Sequence, residues 1–291
     1  MSISQPDRIP HPPGDVLMDY VLTPYSPRTD PTGRLHSASL LRHFLRSHGM
    51  LADVWPIIER LGEHLGAGQT VWGIKVDAAG NTGIELYFYN HCANAPGSLM
   101  SVTALCAVLS DLITIPDQLD ESLPYLMCSL ELDAARLTAR RSEGFRIYLP
   151  GTRSEDGHDG ISYVVGDREL VRENRYSFFD AATELDGVTR CMETSLHGAN
   201  DRAVLLHPRF TQCHTICYAE KRLTDALYFS RISTPLLGVF ARAYLPGPLA
   251  KTITEHAADL AHLCWDVGYD FQRRPTSQSS RIVKAGIYGY V

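Results

Sequence analysis

The chain has 291 residues, of which 44% are hydrophobic and 21% charged, and its formal net charge is −6. This composition is typical of an ordinary globular protein. The negative balance argues against nucleic acid as the main partner, because phosphate backbones are bound by dense basic faces. It does not exclude a small anionic ligand, which needs only a few cations in a pocket.

Seven cysteines occur at scattered spacings, and no CxxC pair is present. This pattern predicts neither a disulfide framework nor a zinc ribbon. No segment combines a basic start with an apolar core, and the longest apolar runs are well short of the ~20 residues that span a bilayer. We therefore expect a cytoplasmic protein without a membrane partner.

Residues 1–36 contain seven prolines. Proline fixes φ and lacks the N–H donor, so this stretch is predicted to be an extended N-terminal arm rather than a helix. Tyr20 and Tyr25 are candidates for attaching the arm to the rest of the chain. The remaining residues, 37–291, are predicted to form one domain.

The domain begins with apolar residues at helical spacing, which predict a helix after Ser37 or Ser39 and a second helix at about 53–65. The period then changes to two, and a turn at 78–81 joins predicted strands at 72–76 and 84–89. This helix and hairpin pattern repeats along the chain. Further hairpins are predicted at about 123–132 with 144–149, 160–165 with 169–173, 213–220 with 226–232, and 265–271 with 281–291. Further helices are predicted at about 99–112, from Ser177 onward, and at 249–263.

Five hairpins in sequence give ten strands, which should pair antiparallel. An open sheet of ten strands tends to curl or close, and closure removes the edges that invite aggregation. The predicted fold class is therefore α+β: a ten-stranded antiparallel β-barrel of five hairpins with α-helices around it.

The two faces of the predicted strands differ in character. One face is polar and rich in tyrosine: Gly73, Lys75, Glu85, Tyr87, Tyr89, Ser129, Glu131, Arg146, Tyr148, Arg231, Lys284, Gly286, Tyr288 and Tyr290. The other is apolar: Trp72, Ile74, Phe88, Leu130, Phe145, Ile147, Val283, Ala285 and Ile287. Helices would cover the apolar face, which turns the polar face into the lumen. The alternative is an open sheet whose polar face meets water. Tyrosine favours the lumen, because an aromatic ring with a polar tip suits the wall of a pocket.

Three short motifs accompany this architecture: Lys284-Ala-Gly-Ile-Tyr288 in the last strand, Arg146-Ile-Tyr148, and the stretch Thr224–Ser233. Together with the helix and hairpin repetition over residues 37–291, they resemble the ABBA (αββα) aromatic prenyltransferases. That family has a ten-stranded antiparallel barrel ringed by helices, and its reaction takes place in the lumen.

The resemblance implies transfer of an allylic prenyl group, dimethylallyl or geranyl, from its diphosphate to an indole or phenol-like acceptor of secondary metabolism. Cationic side chains hold the leaving diphosphate, aromatic rings shield the allyl cation, and a base takes the final proton. On this hypothesis Lys75, Arg146, Arg231 and Lys284 bind the diphosphate, and Tyr87, Tyr148, Tyr218 and Tyr288 shield the cation. Glu85 or Glu131 is the candidate base. Lys75 and Glu85 lie in one hairpin, so a salt bridge between them is the competing interpretation.

No metal ligand is predicted from the sequence, which lacks DDxxD and NDxxD motifs, as the ABBA enzymes do. No cofactor is therefore certain, although Mg²⁺ could accompany the diphosphate through one carboxylate. A second hypothesis is a non-catalytic barrel for a hydrophobic or aromatic small molecule. A third, a hydrolase or lyase on the same scaffold, needs an activated nucleophile, and the sequence shows no GxSxG, P-loop or HExxH motif.

Overall fold

A computed structural model describes residues 3–89, 99–116, 119–154, 157–166, 169–197, 202–274 and 279–291. Ten strands form a closed barrel in which every neighbouring pair is antiparallel. The strands are β1 (Val71–Asp77), β2 (Thr82–Tyr89), β3 (Met127–Leu132), β4 (Arg146–Ser154), β5 (Gly157–Val165), β6 (Leu170–Asp180), β7 (Thr215–Glu220), β8 (Asp225–Ser233), β9 (Cys264–Arg273) and β10 (Ser280–Tyr290). Each strand pairs with the next in the chain, and β10 closes the barrel against β1. The ten-stranded antiparallel barrel predicted from the sequence is confirmed.

The described residues also form eight α-helices and a short 3₁₀ turn at Gln5–Asp7. The helices are α1 (Ala38–Ser47), α2 (Leu51–Leu65), α3 (Val102–Leu109), α4 (Ala134–Ala139), α5 (Leu185–Thr194), α6 (Arg202–Leu205), α7 (Thr234–Tyr244) and α8 (Gly247–Glu255). None of the described helices is long and apolar enough to cross a membrane.

Alternate positions along the strands belong to two separate hydrophobic clusters. The larger one joins strand residues such as Trp72, Ile74 and Phe88 to buried helix residues such as Phe44 and Phe240. Since successive side chains of a strand point to opposite faces, the residues between them point the other way. Those residues form the smaller cluster: Val71, Tyr87, Tyr89, Met127, Tyr288 and Tyr290. The strands therefore have one apolar face that packs with helices and one face that is lined with tyrosine.

Several predicted elements differ from the structure. No helix begins at Ser177: β6 continues to Asp180, and the Ser177 hydroxyl donates to Asp159 on β5 instead of capping a helix. Helix α7 was not predicted. It follows β8 without a loop, and its proline falls in the first turn, where the missing N–H is not needed. Helix α4 lies between β3 and β4, so that pair is not a tight hairpin.

The β-bulges on β6 and β8 change which side chains face inward. Ser162 of β5 pairs with Asn174 of β6, and the next residue, Tyr163, pairs with Arg172. Glu173 is therefore the extra residue on β6. On β8, the register shifts between Phe229 and Ile232, and Arg231 adopts a positive φ of 60°. A bulge re-aims neighbouring side chains. As a result, consecutive residues on both strands face the inside of the barrel.

Candidate functional site

The barrel encloses a cavity of about 590 Å³. Its wall contains residues from nine of the ten strands, together with part of the N-terminal arm, so the cavity is the barrel lumen. Its size lies within the range of small-molecule sites, roughly 300–1,000 Å³. The chemistry of the lumen changes along the barrel axis, and three layers can be distinguished.

A charged layer lies where Lys75, Glu131 and Arg146 meet. The Arg146 guanidinium donates to Glu131 at 2.9 Å and to Glu173, the bulge residue of β6, at 2.8 Å. Lys75 is in contact with Glu85, which also accepts from Tyr87 at 2.8 Å. The salt bridge between Lys75 and Glu85, the competing interpretation of that hairpin, is therefore present.

The same layer continues across the barrel to β9. Lys221, just after β7, donates to both carboxylate oxygens of Asp270 at 2.9 and 2.8 Å. Lys284 lies beside Asp270 in the pairing of β10 with β9 and lines the cavity. Among the described residues, Lys284 makes no hydrogen bond or ion pair, unlike the other cations of this layer. Its ammonium group is therefore the one best placed to bind an anionic ligand.

A tyrosine layer lies next to the charges. Its rings line the cavity from five strands: Tyr87, Tyr148, Tyr176, Tyr228 and Tyr288. The centroids of Tyr148 and Tyr176 are 5.7 Å apart, and Tyr288 lies 6.0 Å from Tyr87 and 6.2 Å from Tyr228. Burial raises the pKa of these phenols, so the layer is neutral at ordinary pH.

The third layer is formed where the N-terminal arm enters the barrel. The Tyr20 ring lies 5.2 Å from the rings of both Tyr87 and Tyr288. Its neighbour Asp19 is bound by the Arg231 guanidinium at 2.7 Å. The Tyr20 amide donates to the Asp266 carboxylate at 3.2 Å. The arm thus covers the tyrosine layer on the side opposite the charges.

Two lumen carboxyls have opposite pKa shifts. Burial alone would raise the pKa of Glu131, but the positive charges of Lys75, Arg146 and Lys284 outweigh it and lower the pKa to about 2. Burial raises the pKa of Asp266 to about 7, helped by the nearby charge of Asp19, although hydrogen bonds to the carboxylate oppose the shift. Asp266 can therefore accept a proton near neutral pH, whereas Glu131 is a very weak base.

Nine of the ten site residues predicted from the sequence line the lumen: Lys75, Glu85, Tyr87, Glu131, Arg146, Tyr148, Arg231, Lys284 and Tyr288. Arg231, however, lies in the arm layer, bound to Asp19 and away from the other cations. Its place is explained by the β8 register, which sets Ile232 opposite Trp265, at the other end of β9 from Asp270.

Tyr218 does not line the lumen, so its predicted role as a cation shield does not fit its position. It belongs to the larger hydrophobic cluster, and its hydroxyl donates to Asp225 at 2.5 Å. Its neighbour Cys217 faces the cavity instead. The pattern of β7 does not predict which residues face inward, because cysteine, alanine and isoleucine do not distinguish an inner from an outer face.

The lumen residues that were not predicted include Tyr20, Tyr176, Lys221, Tyr228, Asp266 and Asp270. A signal for the last two was present, because Asp266, Gly268 and Asp270 alternate with large apolar residues on β9. Tyr176 was hidden by the wrongly predicted helix at Ser177. Tyr20 gave no usable signal, because the path of a proline-rich arm cannot be read from periodicity.

No protein-family model and no curated protein matches the chain. The geometry of the lumen therefore carries the functional argument.

Proposed function

We propose that the protein is an aromatic prenyltransferase of the ABBA type, with helices around the barrel and the reaction in its lumen. The observation that supports this most directly is the order of the layers. Cations at one depth are followed by a layer of tyrosine rings and then by a carboxyl whose pKa is near 7. A diphosphate, an allyl cation and a proton leaving an aromatic ring need these three environments in this order.

Each step of the proposed reaction has a matching layer in the lumen. The bond between the allylic carbon and the diphosphate oxygen breaks, and the oxygen keeps the electron pair. Lys284 and Arg146 stabilise the leaving anion in a site with little water. Tyr87, Tyr148 and Tyr288 face the allyl cation, and such contacts are worth ~2 kcal/mol or more when desolvated. The aromatic carbon or heteroatom attacks the cation, and its proton passes to a base.

Asp266 is a better candidate for this base than Glu85 or Glu131. Glu85 is engaged by Lys75 and Tyr87, and the pKa of Glu131 is lowered to about 2. Asp266 is four residues from Asp270 on β9, which is roughly 13 Å along the strand. That spacing leaves room for a prenyl chain and an aromatic ring between the diphosphate and the base.

Magnesium is expected to strengthen diphosphate binding. The charged layer holds four cations, Lys75, Arg146, Lys221 and Lys284, and four carboxylates, Glu85, Glu131, Glu173 and Asp270. Because the layer contains as many carboxylates as cations, the carboxylates would repel a diphosphate that enters without a metal ion. Glu131, Glu173 and Asp270 are the oxygen ligands available to a Mg²⁺ ion that arrives with the diphosphate.

The second candidate is a barrel that binds a neutral aromatic molecule without chemistry. It is favoured by the fact that four lumen cations, Lys75, Arg146, Lys221 and Arg231, are already paired with carboxylates. Lys284 argues against it, because a neutral ligand gives no reason for a cation to face the lumen beside the tyrosines.

Calorimetry with dimethylallyl diphosphate, geranyl diphosphate and geraniol tests the proposal. We expect micromolar binding of a diphosphate by the wild type, stronger with Mg²⁺, and weaker binding of the alcohol. Lys284→Ala should lower the affinity at least tenfold, which corresponds to ~1.4 kcal/mol. Lys251→Ala is the matched control, because that lysine is 66% exposed on α8 and should change nothing.

Arg146→Ala is the harsher variant, because it removes the counterion of Glu173 and one of the cations beside Glu131, so its fold must be checked by circular dichroism. A folded wild type that binds neither diphosphate, with or without Mg²⁺, would reject the prenyltransferase. Tight binding of aromatic compounds alone would then support the neutral-ligand barrel. Once binding is shown, gain of one prenyl unit by an indole or phenol, followed by mass spectrometry, tests the chemistry.

A further inference from the structure

Three histidines meet outside the lumen, where the N-terminal arm lies against the barrel. The ring centroids of His11 and His36 are 4.6 Å apart, and those of His11 and His262 are 4.8 Å apart. His11 is 2% exposed and His262 is 1% exposed. Asp15 completes the group, with its carboxylate 2.6 Å from Nδ1 of His11. Ligand atoms of His11, Asp15 and His36 all lie within 4.8 Å of one another.

The polar atoms of this cluster are not all satisfied within the described residues. Nε2 of His11 and both ring nitrogens of His262 are buried and have no hydrogen-bond partner there. An unpaired buried polar group is costly, and native proteins rarely retain several in one place without a reason. Three unpaired nitrogens from two adjacent rings therefore indicate that the cluster receives a ligand.

The chemistry of the group matches a transition metal. A metal binds histidine through a ring nitrogen with a lone pair, and Nε2 of His11 and both ring nitrogens of His262 have no hydrogen-bond partner among the described residues. Nδ1–H of His11 can donate a hydrogen bond to Asp15, which leaves the lone pair of Nε2 available to the metal. Carboxylates commonly orient metal-bound histidines in this way. Imidazoles bound to one tetrahedral Zn²⁺ have centroids about 5 Å apart, given a Zn–N distance of ~2.0–2.1 Å, and the rings of His36 and His262 each lie at about this distance from the ring of His11.

The backbone holds these residues in place. An antiparallel bridge joins Pro10 to Leu35. On either side of it, the His11 amide donates to the Arg34 carbonyl at 2.8 Å and the His36 amide donates to the Ile9 carbonyl at 2.7 Å. The two histidines thus lie on adjacent extended segments. The turn that carries His262 is attached by the Leu35 amide, which donates to Asp259. Three distant parts of the chain therefore converge on one point.

We propose that His11, His36 and His262 bind a divalent transition metal, Zn²⁺ being the best match, with Asp15 positioning His11. Neutral imidazoles suit Zn²⁺, Cu²⁺ and Ni²⁺ better than Mg²⁺ or Ca²⁺. The metal links the arm to the start of α1 and to the turn before β9. This role is structural and does not depend on the reaction in the lumen.

Titration of metal-free wild-type protein with Co²⁺ and Zn²⁺ tests the site. We expect one equivalent of Co²⁺ to give the strong visible absorption of a four-coordinate ion with three imidazole ligands and one water, and Zn²⁺ to displace it. His11→Gln and His262→Gln should each lower zinc affinity more than 100-fold. Asp15→Asn should lower it about 10–100-fold, as expected for a residue that orients a ligand. His48→Gln, at an exposed histidine on the C-terminal end of α1, should change nothing.

The wild-type spectrum decides the matter even if the glutamine variants do not fold. Folded wild type that shows no four-coordinate cobalt spectrum and keeps no zinc after gel filtration would overturn the proposal. Equal zinc retention by folded His11→Gln, His262→Gln and wild type would also overturn it, because the metal would then lie elsewhere, for example on the lumen carboxylates.

Discussion

Asp266 is the residue whose environment differs most from that of an ordinary carboxyl. It is buried at 7% exposure between the arm and the tyrosine layer, and its pKa is raised to about 7. Because the folded pKa lies above the unfolded value, the folded state binds the proton more tightly. The contribution of protonated Asp266 to the stability of the fold is fully present below about pH 4 and is lost as the pH rises to about 7.

Asp266→Asn should therefore stabilise the protein at pH 8 but not at pH 4, since the amide mimics the protonated acid. Each pKa unit corresponds to ~1.4 kcal/mol, so the gain at pH 8 can reach a few kcal/mol. Thermal unfolding at both pH values measures this difference. Glu63→Gln, at an exposed carboxylate on α2, is the control and should show no such pH dependence. Equal stability of Asp266→Asn and wild type at pH 8 would contradict the raised pKa.

The same substitution carries a kinetic expectation on the proposed function. If Asp266 is the base, kcat/KM of the wild type should rise through an apparent pKa near 7, and Asp266→Asn should lose that rise together with most of the rate. Glu131→Gln should keep the pH profile, because Glu131 is ionised at every pH tested.

The identities of single lumen residues were predictable only in part. Lys284, Arg146 and Tyr288 were found because short motifs and strict alternation place them on one face. Asp266 was missed although its strand was predicted, because an aspartate that alternates with apolar residues is equally typical of a strand face that meets water. Its pKa could not be foreseen at all, since it depends on Asp19 and on the arm, which are distant in sequence.

On strand β1, a glycine makes room for the tyrosine layer. A Cβ on Gly73 would lie 2.6 Å from Cε1 of Tyr288 and 3.4 Å from the Tyr87 ring. Two neighbouring rings thus lie over a strand position that must be glycine. Gly73 occupies the same face as Lys75, two residues away, so the strand presents space and charge alternately along the lumen.

Gly73→Ala should therefore destabilise the fold by ~1–3 kcal/mol and displace the Tyr288 ring, as overpacking does. Denaturant unfolding gives the magnitude. Gly83→Ala on β2 is the matched control, because a Cβ there meets only a carbonyl oxygen at 3.5 Å. If Gly73→Ala no longer destabilises a protein that also carries Tyr288→Ala, the clash with the ring is the cause of the loss. Equal losses for Gly73→Ala and Gly83→Ala would instead assign the effect to backbone propensity.

The sequence predicted strands better than the helices between them. Period-two alternation marked all ten strands, because a barrel strand has two chemically distinct faces. Helix α7 was missed because it directly follows β8, without the loop residues that normally mark a boundary. The true end of β6 was missed because Ser177 and Asp180, which resemble a capping box, lie within the strand. The bulges on β6 and β8 leave no mark in the hydrophobic pattern, yet they bring Glu173 and Arg231 into the lumen.

The N-terminal arm is attached to the barrel by a buried ion pair. The side chains of Asp19 and Arg231 are 5% and 21% exposed. The pair holds Tyr20 over the tyrosine layer, so that access to the lumen from this end requires the arm to move. Removing one partner of such a pair leaves the other charge buried and typically costs ~3–5 kcal/mol.

Arg231→Met should therefore loosen the arm without unfolding the barrel. Limited digestion with chymotrypsin should cut at Tyr20 or Tyr25 at least tenfold faster than in the wild type, because cleavage follows the population of the open form. Mass spectrometry identifies the sites. Arg202→Met, which removes an exposed pair with Glu193, is the control. Unchanged cleavage at both tyrosines would show that other contacts hold the arm.

Closure of the barrel has a consequence for synthesis on the ribosome. Val71 pairs with Tyr290, and the backbones of Thr70 and Val291 exchange two hydrogen bonds. Strand β1 therefore pairs with a strand that is translated more than 200 residues later. Until β10 has been translated, β1 and β9 remain open edges that can pair with other chains. The same late strand supplies Lys284 and Tyr288. A nascent chain therefore acquires a sealed wall and a complete lumen in a single step, and any product cut short before it has neither.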